Sequence, residues 1–263
     1  MRPLRVGRGK PASSLCLTPL ATLTSGQEAP HAALVRRTVA IAESNMPQPP
    51  HISKLTVPPE KSLDPDLRRY FEICRDRLGL VPNVLAALSI KPARLRNFIT
   101  TYNEIMLGED SRLTRLEREM IAVVVSSHNR CYYCLVAHGQ AVRELSGDPE
   151  LGELLIMNFR IASLPPRHHA MLDFAWKLTA SPDAIGDADR AALRKAGFDD
   201  GDIFDICEIT GLFNLSNRMA MGLDMMPNRE YHAMHRTVSR GRKARSKAGG
   251  SGAAAKKRRS AGR

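Results

Sequence analysis

The chain has 263 residues, and a hydrophobic fraction of 43% is enough to bury one sizeable core or two small ones. Its net charge of +12 belongs to the ends: residues 236–263 carry +11 and residues 1–50 carry +4, which leaves −3 for residues 51–235. A mildly acidic middle without a recognition motif excludes sequence-specific nucleic-acid binding as the main function. No apolar run approaches the roughly eighteen residues of a membrane-spanning helix, which excludes a membrane span.

The two ends differ in composition from the middle. Residues 236–263 are rich in Gly, Ala, Ser, Lys and Arg, so we expect a disordered basic tail that makes nonspecific contact with polyanions. Residues 1–50 have some transit-peptide character but lack the apolar region of a secretory signal, and we interpret them as a disordered or mis-assigned N-terminal extension. The remaining residues, 51–235, form the predicted domain of a soluble, cytoplasmic protein.

Apolar residues between Asp64 and His235 recur at spacings of three and four, which predicts helices and no strand. Thr114 followed by Glu117 has the pattern of a capping box. The helix that they start is apolar nearly all round at Met120–Val125, so we expect it to cross the core. The predicted helices cover residues 64–79, 92–107, 114–129, 131–145, 149–162, 166–180, 187–196 and 199–222, with a short turn at 84–88.

Five cysteines occur, an odd number that is widely spaced in a long chain without an export signal, which excludes a disulfide scaffold. Cys74 and Cys207 lie in apolar helical patterns, where we interpret them as small buried hydrophobes. Cys16 belongs to the N-terminal extension. Only Cys131 and Cys134 form a pair at a chemically useful spacing.

The predicted site consists of Glu119, Cys131, Cys134 and His138. In a helix that begins near Cys131, positions 131, 134 and 138 differ by three and four, so both sulfurs and the imidazole share one face. A thiol in the first helical turn lies at the positive end of the helix dipole, which favours the thiolate. His138 can accept the proton of Cys134, and a hydrogen bond from His138 to a buried Glu119 would complete a relay.

This set of residues suits peroxide reduction without a metal or an organic cofactor. One thiolate attacks a hydroperoxide and becomes a sulfenic acid, the second thiol condenses with it to a disulfide, and a reductant reopens the disulfide. A zinc site made of Cys131, Cys134, His138 and either His128 or Glu119 is an alternative. A purely structural cysteine pair is another, whereas a thioredoxin-like motif needs a βαβ pattern that the sequence lacks.

The segment LTRLEREMIAVVVSSHNRCYYCLVAHGQAVREL resembles the signature of the alkylhydroperoxidase D-like family in the carboxymuconolactone decarboxylase superfamily, more closely its peroxidase-related branch. The similarity extends through GLVPNVLAALSIKPARL upstream and LRKAGFDDGDIFDICEITGLFNLSNRMAMGLD downstream, and it covers roughly Ile52 to His235. It implies a compact, all-α, multi-helix fold in which a central helix pair carries the Cys-x-x-Cys motif. It also implies a homo-oligomer, either a trimer or a hexamer.

The resemblance implies roles for the four residues as well. Cys134 is the peroxidatic cysteine, Cys131 resolves it, and Glu119 and His138 form the proton relay. The position of Cys134, one turn before His138, agrees with this order, since Cys131 at the helix entrance is then the sulfur that an external thiol meets first. The expected reductant is a dithiol protein or a lipoyl-type donor.

One position departs from the family pattern. The best-known peroxidases of the family have a histidine immediately before the second cysteine, where this chain has Tyr133, and a phenol with a pKa of about 10 is a poor base at neutral pH. Asn217–Arg218 matches a recurring pair of the branch and is assigned either to packing or to a place near the dithiol. We predict a peroxidase for organic hydroperoxides or hydrogen peroxide. The alternatives are a dithiol oxidoreductase or redox sensor with little peroxide turnover, and a zinc-held binding protein.

Overall fold

The computed structural model describes residues 47–237. The predictions for residues 1–46 and for residues 238–263, which include Cys16 and most of the basic tail, lie outside the described residues. The described part confirms the predicted all-α class, because it contains nine α-helices and no strand. The helices are α1 Pro65–Leu78, α2 Asn83–Leu88, α3 Pro92–Tyr102, α4 Arg115–Asn129, α5 Tyr132–Ser146, α6 Leu151–Asn158, α7 Pro166–Ala180, α8 Asp187–Lys195 and α9 Asp200–Gly222.

Local sequence signals set most of the helix ends. Thr114 and Glu117 form the predicted capping box at the start of α4, with each side chain accepting a hydrogen bond from the other residue's backbone amide. Asp199 and Asp202 form a second capping box at the start of α9. Gly79 ends α1 in the left-handed conformation (φ 75°). Glycine adopts this conformation at little energetic cost because it has no Cβ.

The predicted helix over residues 92–107 ends at Leu107, as expected, but it is not α-helical throughout. The α-helix ends at Tyr102, and Asn103–Leu107 form a π-helical turn. The buried guanidinium of Arg118 donates to the carbonyl oxygens of Ile105 at 3.3 Å and Gly108 at 2.9 Å. A side chain from a different helix therefore supplies partners to carbonyl groups at the end of this helix.

The predicted helix over residues 149–162 is shorter than expected. Helix α6 begins at Leu151 and ends at Asn158, and Phe159–Ile161 form a 3-10 turn. At this junction the Asn158 side chain accepts a hydrogen bond from the Arg160 amide at 3.2 Å, and the Asn158 backbone is extended. A side chain that bonds to nearby backbone in this way competes with the helix.

Helix α4 lies at the centre of the main core, as predicted. Its residues from Met120 to Val125 have no exposed surface, and they pack with apolar residues of α5, α6, α7 and α9. A helix that is buried on every side fixes the position of any polar residue that it carries, because tight packing leaves little space for movement. Glu119 and Ser126 flank this buried stretch.

Two smaller apolar clusters accompany the main core. The first joins α1 to the following two helices and includes Cys74, which is buried as predicted, whereas Cys207 is only half-buried. The second surrounds the dithiol and contains Cys131, Cys134 and Ala220 of α9. None of the described helices is both long and apolar enough to cross a membrane.

Candidate active site

The turn between α4 and α5 places the two cysteines. Arg130 adopts the left-handed conformation (φ 56°) and ends α4, after which the Cys131 amide donates to the Ser126 carbonyl oxygen at 3.0 Å. Cys131 directly precedes α5, and Cys134 lies in its first turn. The two cysteines lie close together in one apolar cluster, as the spacing of three residues predicts.

Both cysteines are buried, with exposed fractions of 0% for Cys131 and 3% for Cys134. Neither sulfur is open to solvent, and the expectation that an external thiol meets Cys131 first stays a prediction. Residues distant in sequence pack against Cys131, among them Ala87, Ala220 and Met225. A depression of about 180 Å³ remains beside it, lined by Cys131 but not by Cys134.

His138 and Glu119 form the buried hydrogen bond that the sequence predicts. The Nδ1 atom of His138 lies 2.7 Å from the Oε2 atom of Glu119, which is 5% exposed. The carboxylate accepts the proton on Nδ1, so Nε2 is the ring nitrogen left to accept a proton from a thiol. The imidazole packs edge-on against the Phe213 ring, with ring centroids 4.6 Å apart, and this contact limits rotation of the imidazole.

The two thiols differ in acidity. The pKa of Cys131 is lowered from 9.0 to about 7 by a hydrogen bond from the Cys134 thiol and by the backbone amides at the start of α5. The pKa of Cys134 is raised, because Cys134 donates that hydrogen bond and is buried. The two thiols therefore titrate as a pair, and the lowered pKa of Cys131 favours one negative charge on this pair near neutral pH.

Two further polar residues, Asn217 and Ser126, lower the pKa of Cys134. The sequence leaves two alternatives for Asn217–Arg218, and the effect of Asn217 on this pKa agrees with a place near the dithiol. The Asn217 side chain is fully buried and donates to the Ser126 hydroxyl at 2.9 Å. Arg218 points to the exposed side and donates to Asn214. The match of Asn217–Arg218 to a recurring pair of the branch is the sequence signal that links Asn217 to the site, whereas none singles out Ser126.

Comparisons with known proteins agree with this geometry. The model of the carboxymuconolactone decarboxylase family matches residues 93–158, which run from α3 to the end of α6 and contain all four predicted site residues. A crystal structure of a peroxidase-related protein from Silicibacter sp. TM1040 is 53% identical and covers 73% of this chain and 100% of its own, with a TM-score of 0.70. The chain belongs to the peroxidase-related, alkylhydroperoxidase D-like branch of the carboxymuconolactone decarboxylase superfamily.

A second member of this branch is nearly as similar. The alkylhydroperoxidase AhpD core of a peroxidase-related protein from Ralstonia eutropha JMP134 is 41% identical and covers 72% of this chain and 99% of its own, with a TM-score of 0.70. The debrominase Bmp8 shares the fold at 18% identity, covers 70% of this chain and 97% of its own, and has a TM-score of 0.60. No curated protein matches the chain.

Tyr133, the departure from the pattern of the peroxidases, has a structural contact of its own. Its hydroxyl oxygen accepts a hydrogen bond from the Val84 amide at 2.8 Å, and burial raises the pKa of Tyr133 well above its usual value. Tyr133 therefore joins α2 to α5 and is a neutral phenol at neutral pH. It is not a base for either cysteine.

The geometry does not support the zinc alternative. No group of three or more His, Cys, Asp or Glu residues within the described range 47–237 is arranged to hold a metal ion. Glu119 and the Nδ1 atom of His138 bind each other, and the His128 ring packs edge-on against Trp176 with ring centroids 4.8 Å apart. Glu119, one of the two proposed additional ligands, thus has another partner.

Proposed function

We propose that the protein is a thiol-dependent peroxidase that reduces organic hydroperoxides or hydrogen peroxide through a Cys131/Cys134 dithiol–disulfide cycle. The observation that carries this proposal is the contact between the two thiols at the start of α5, on the helix that also carries the His138–Glu119 pair. Relatives in the same branch are described as peroxidase-related, which supports a peroxide-related oxidoreductase activity for this chain.

The first chemical step oxidises one sulfur. The Cys134 thiolate attacks the terminal oxygen of the hydroperoxide, the O–O bond breaks, and Cys134 becomes a sulfenic acid. The departing alkoxide takes up one proton and leaves as the alcohol, or as water when the substrate is hydrogen peroxide. His138 is the proposed proton carrier, held in the tautomer with a free Nε2 by Glu119.

The second step closes the disulfide. The Cys131 thiolate attacks the sulfenic sulfur of Cys134, an S–S bond forms, and hydroxide leaves as water after taking up a proton. A Cys131 pKa of about 7 suits this role, because the nucleophile is ionised at neutral pH without a further base. A dithiol protein or a lipoyl-type donor then reduces the disulfide by exchange and is itself oxidised.

The different acidities of the two thiols set a condition on the first step. The pKa of Cys131 is lowered and that of Cys134 is raised, so attack from Cys134 requires the Cys134 proton to move to Cys131 or to reach His138. We propose Cys134 as the attacking sulfur because it lies one helical turn before His138, which can accept its proton. Substitution of each cysteine tests this order, as argued in the Discussion.

The test of the proposed function is stopped-flow mixing of the reduced protein with cumene hydroperoxide. Thiol loss should be at least about a hundredfold faster than for free cysteine at the same pH, because a lowered pKa and an oriented base both favour the reactive form. A variant with Cys16, Cys74 and Cys207 replaced by serine is the matched control and should keep the rate. Thiol oxidation no faster than that of free cysteine would reject the peroxidase.

The engaged hydroxyl of Tyr133 favours a second candidate function. Because that hydroxyl binds the Val84 amide, the site lacks the second base of the best-known peroxidases. A dithiol oxidoreductase or redox sensor needs only the two thiols and an exchange partner. Rapid disulfide exchange combined with slow peroxide turnover in the same stopped-flow experiment would support this function.

The assembly and the compartment are further proposals. We propose that residues 51–235 are the catalytic domain and that this domain forms a trimer or hexamer in the cytoplasm. Sedimentation of the full chain measures the subunit number. A monomer at micromolar concentration would reject the oligomer without affecting the proposed chemistry.

A further inference from the structure

The depression of about 180 Å³ beside the dithiol has Cys131 in its lining and does not reach Cys134. A group that enters it therefore meets one sulfur of the pair, that of Cys131. Pockets for drug-sized ligands have about 300 to 1,000 Å³, so this depression suits the end of one narrow arm rather than a whole ligand.

The lining of the depression is largely apolar. It includes Ala220, Met221, Met225 and Met226. Met225 is 3% exposed and packs with both cysteines in one cluster, whereas Met221 is 46% exposed. Met221 thus lies on the solvent side of the depression, and Met225 lies on the side of the sulfurs.

Backbone hydrogen bonds hold the segment that carries two of these methionines. The Met225 amide donates to the Ala220 carbonyl oxygen at 2.8 Å, and the Met226 amide donates to the Ile52 carbonyl oxygen at 3.0 Å. The backbone on this side of the depression is therefore fixed, and only side chains are free to move.

The two tyrosines of the lining are held by their hydroxyl groups. The Tyr133 oxygen accepts a hydrogen bond from the Val84 amide at 2.8 Å. The Tyr132 hydroxyl lies 3.1 Å from both Gln48 Oε1 and His232 Nε2. Both rings are thus held in place, which leaves the methionine side chains as the adaptable part of the wall.

Cys131 has an exposed fraction of 0% although it lines the depression. A thiol that reaches its sulfur must therefore displace a side chain. Met221 suits this displacement, because its unbranched thioether chain is exposed and is held by no polar contact. The size and polarity of the residue at position 221 then decide which thiol enters.

We propose that the depression is the site at which the thiol of the reductant reaches Cys131, and that Met221 is the specificity-determining residue at its mouth. The occupant is the thiol end of an apolar dithiol, because the lining is apolar and the volume is small. This inference rests on the proposed function, whose product is the disulfide between Cys131 and Cys134.

The reduction takes place in two exchange steps. The external thiolate attacks the Cys131 sulfur, a new S–S bond forms, the bond between Cys131 and Cys134 breaks, and Cys134 leaves with the electron pair and takes up a proton. The second thiolate of the reductant then attacks the external sulfur and releases Cys131 as a thiolate. Two electrons pass to the protein, and the reductant leaves as a disulfide.

The experiment measures the reduction of the oxidised full chain by dihydrolipoamide, with the disulfide first closed by diamide. Acid quenching and alkylation, followed by mass spectrometry, count the thiols released at Cys131 and Cys134. Met221→Trp narrows the mouth and should slow reduction at least about tenfold, whereas Met221→Ala widens it and should speed reduction about threefold or more. A general loosening of the structure would instead speed reduction in both variants, so the opposite signs identify the narrowing.

Met219 provides the matched controls. It lies two residues earlier on α9 and is 40% exposed, but it does not line the depression. Met219→Trp and Met219→Ala should keep the rate within about twofold of wild type. If Met221→Trp does not fold, judged by circular dichroism, Met221→Ala decides the question. Rates within twofold of wild type in every folded Met221 variant overturn the proposal.

Met221→Gln tests the apolar character of the occupant, since it keeps the length of the side chain and adds a polar amide. At equal thiolate concentration the wild-type chain should react about fivefold faster with dihydrolipoamide than with dithiothreitol, which carries two hydroxyl groups. Met221→Gln should reduce this ratio, and Met219→Gln should not. Equal rates for the two dithiols with the wild-type chain overturn the apolar class.

Oxidation of the reduced chain by cumene hydroperoxide examines whether the peroxide uses the same entrance. Slower oxidation in Met221→Trp with unchanged reduction by dihydrolipoamide would make the depression the entrance of the peroxide and overturn the proposal. Slower reduction with unchanged oxidation supports a site for the reductant alone.

The two proposals fail in different ways. Diamide closes the disulfide without peroxide, so the effect of Met221 can be measured in a chain that reduces no peroxide. That effect together with no peroxide reduction supports the site for the reductant and rejects the peroxidase. Fast peroxide reduction together with no effect of Met221 on dithiol reduction rejects the site and leaves the peroxidase in place.

Discussion

The Nδ1 atom of His138 and the Oε2 atom of Glu119 are 2.7 Å apart, and the carboxylate comes from a helix that is buried on every side. Because α4 cannot move without disturbing the core, Glu119 holds the imidazole in one orientation and one tautomer. The face of α5 that carries the two sulfurs also carries this ring, so a proton from the dithiol has a prepared acceptor.

We expect Glu119→Gln to slow peroxide-dependent thiol oxidation by roughly a hundredfold. Glutamine can still accept from Nδ1 through its amide oxygen, but it lacks the negative charge that stabilises a protonated imidazole. Single-turnover oxidation by cumene hydroperoxide, followed by intrinsic fluorescence or by thiol titration, measures the effect. A rate within twofold of the wild-type rate would remove Glu119 from the relay.

Glu117→Gln is the matched control, since Glu117 is equally buried on the same helix. Burial raises the pKa of Glu117, but hydrogen bonds from His168, Thr114 and Arg167 outweigh this effect and lower the pKa from 4.5 to about 2. The carboxylate thus stabilises the fold above pH 4.5, and this contribution is lost as pH falls towards 2. Glu117→Gln should cost about 1 to 2 kcal/mol in urea unfolding at pH 7 and leave the oxidation rate unchanged.

The lowered pKa of Cys131 predicts how alkylation of the dithiol depends on pH. Its pKa of about 7 lies below the usual 9.0, so the thiolate forms as pH rises through 7, and alkylation of the wild-type dithiol should rise through the same range. In Cys134→Ala the hydrogen bond that contributes most to this lowering is absent, and the midpoint should move towards 9.0. Mass spectrometry of the alkylated peptide identifies the sulfur. A wild-type midpoint at 9 would contradict the assigned charge on Cys131.

Local patterns were sufficient to predict most of the fold. The capping box at Thr114, the apolar stretch at Met120–Val125 and the spacing of Cys131, Cys134 and His138 each depend on neighbours within one or two helical turns. The all-α class follows from the same periodicity. These features depend little on the rest of the chain, and the structure agrees with them.

Features that depend on distant contacts were not predictable in this way. The carbonyl groups of the π-helical turn after Tyr102 bind Arg118 of a different helix, so the turn itself does not reveal their partner. Cys131 is covered because it packs with Ala87, Ala220 and Met225, which lie far from it in sequence. The approach of Ala220 to the dithiol likewise requires α9 to pack on α5, and no pattern within α9 specifies that packing.

Tyr133→Phe separates the structural role of this residue from a chemical one. The change leaves the buried Val84 amide without its acceptor, so we expect the free energy of unfolding in urea to fall by about 1 to 3 kcal/mol. The rate of thiol oxidation should stay within twofold of the wild-type rate, because the Tyr133 phenol is neutral and its oxygen accepts a hydrogen bond from the Val84 amide. A tenfold slower oxidation in a stably folded Tyr133→Phe protein would instead give the hydroxyl a part in the chemistry.

The last prediction concerns the sulfur that attacks the peroxide. Cys131→Ser removes the hydrogen bond and the charge that raise the Cys134 pKa, so Cys134 should still form a sulfenic acid, which dimedone traps and mass spectrometry locates. No disulfide can then close. Cys134→Ser should abolish fast oxidation, because the remaining sulfur is not the one that lies one helical turn before His138. Fast oxidation that persists in Cys134→Ser, with the sulfenic acid on Cys131, would reverse the order of the two cysteines.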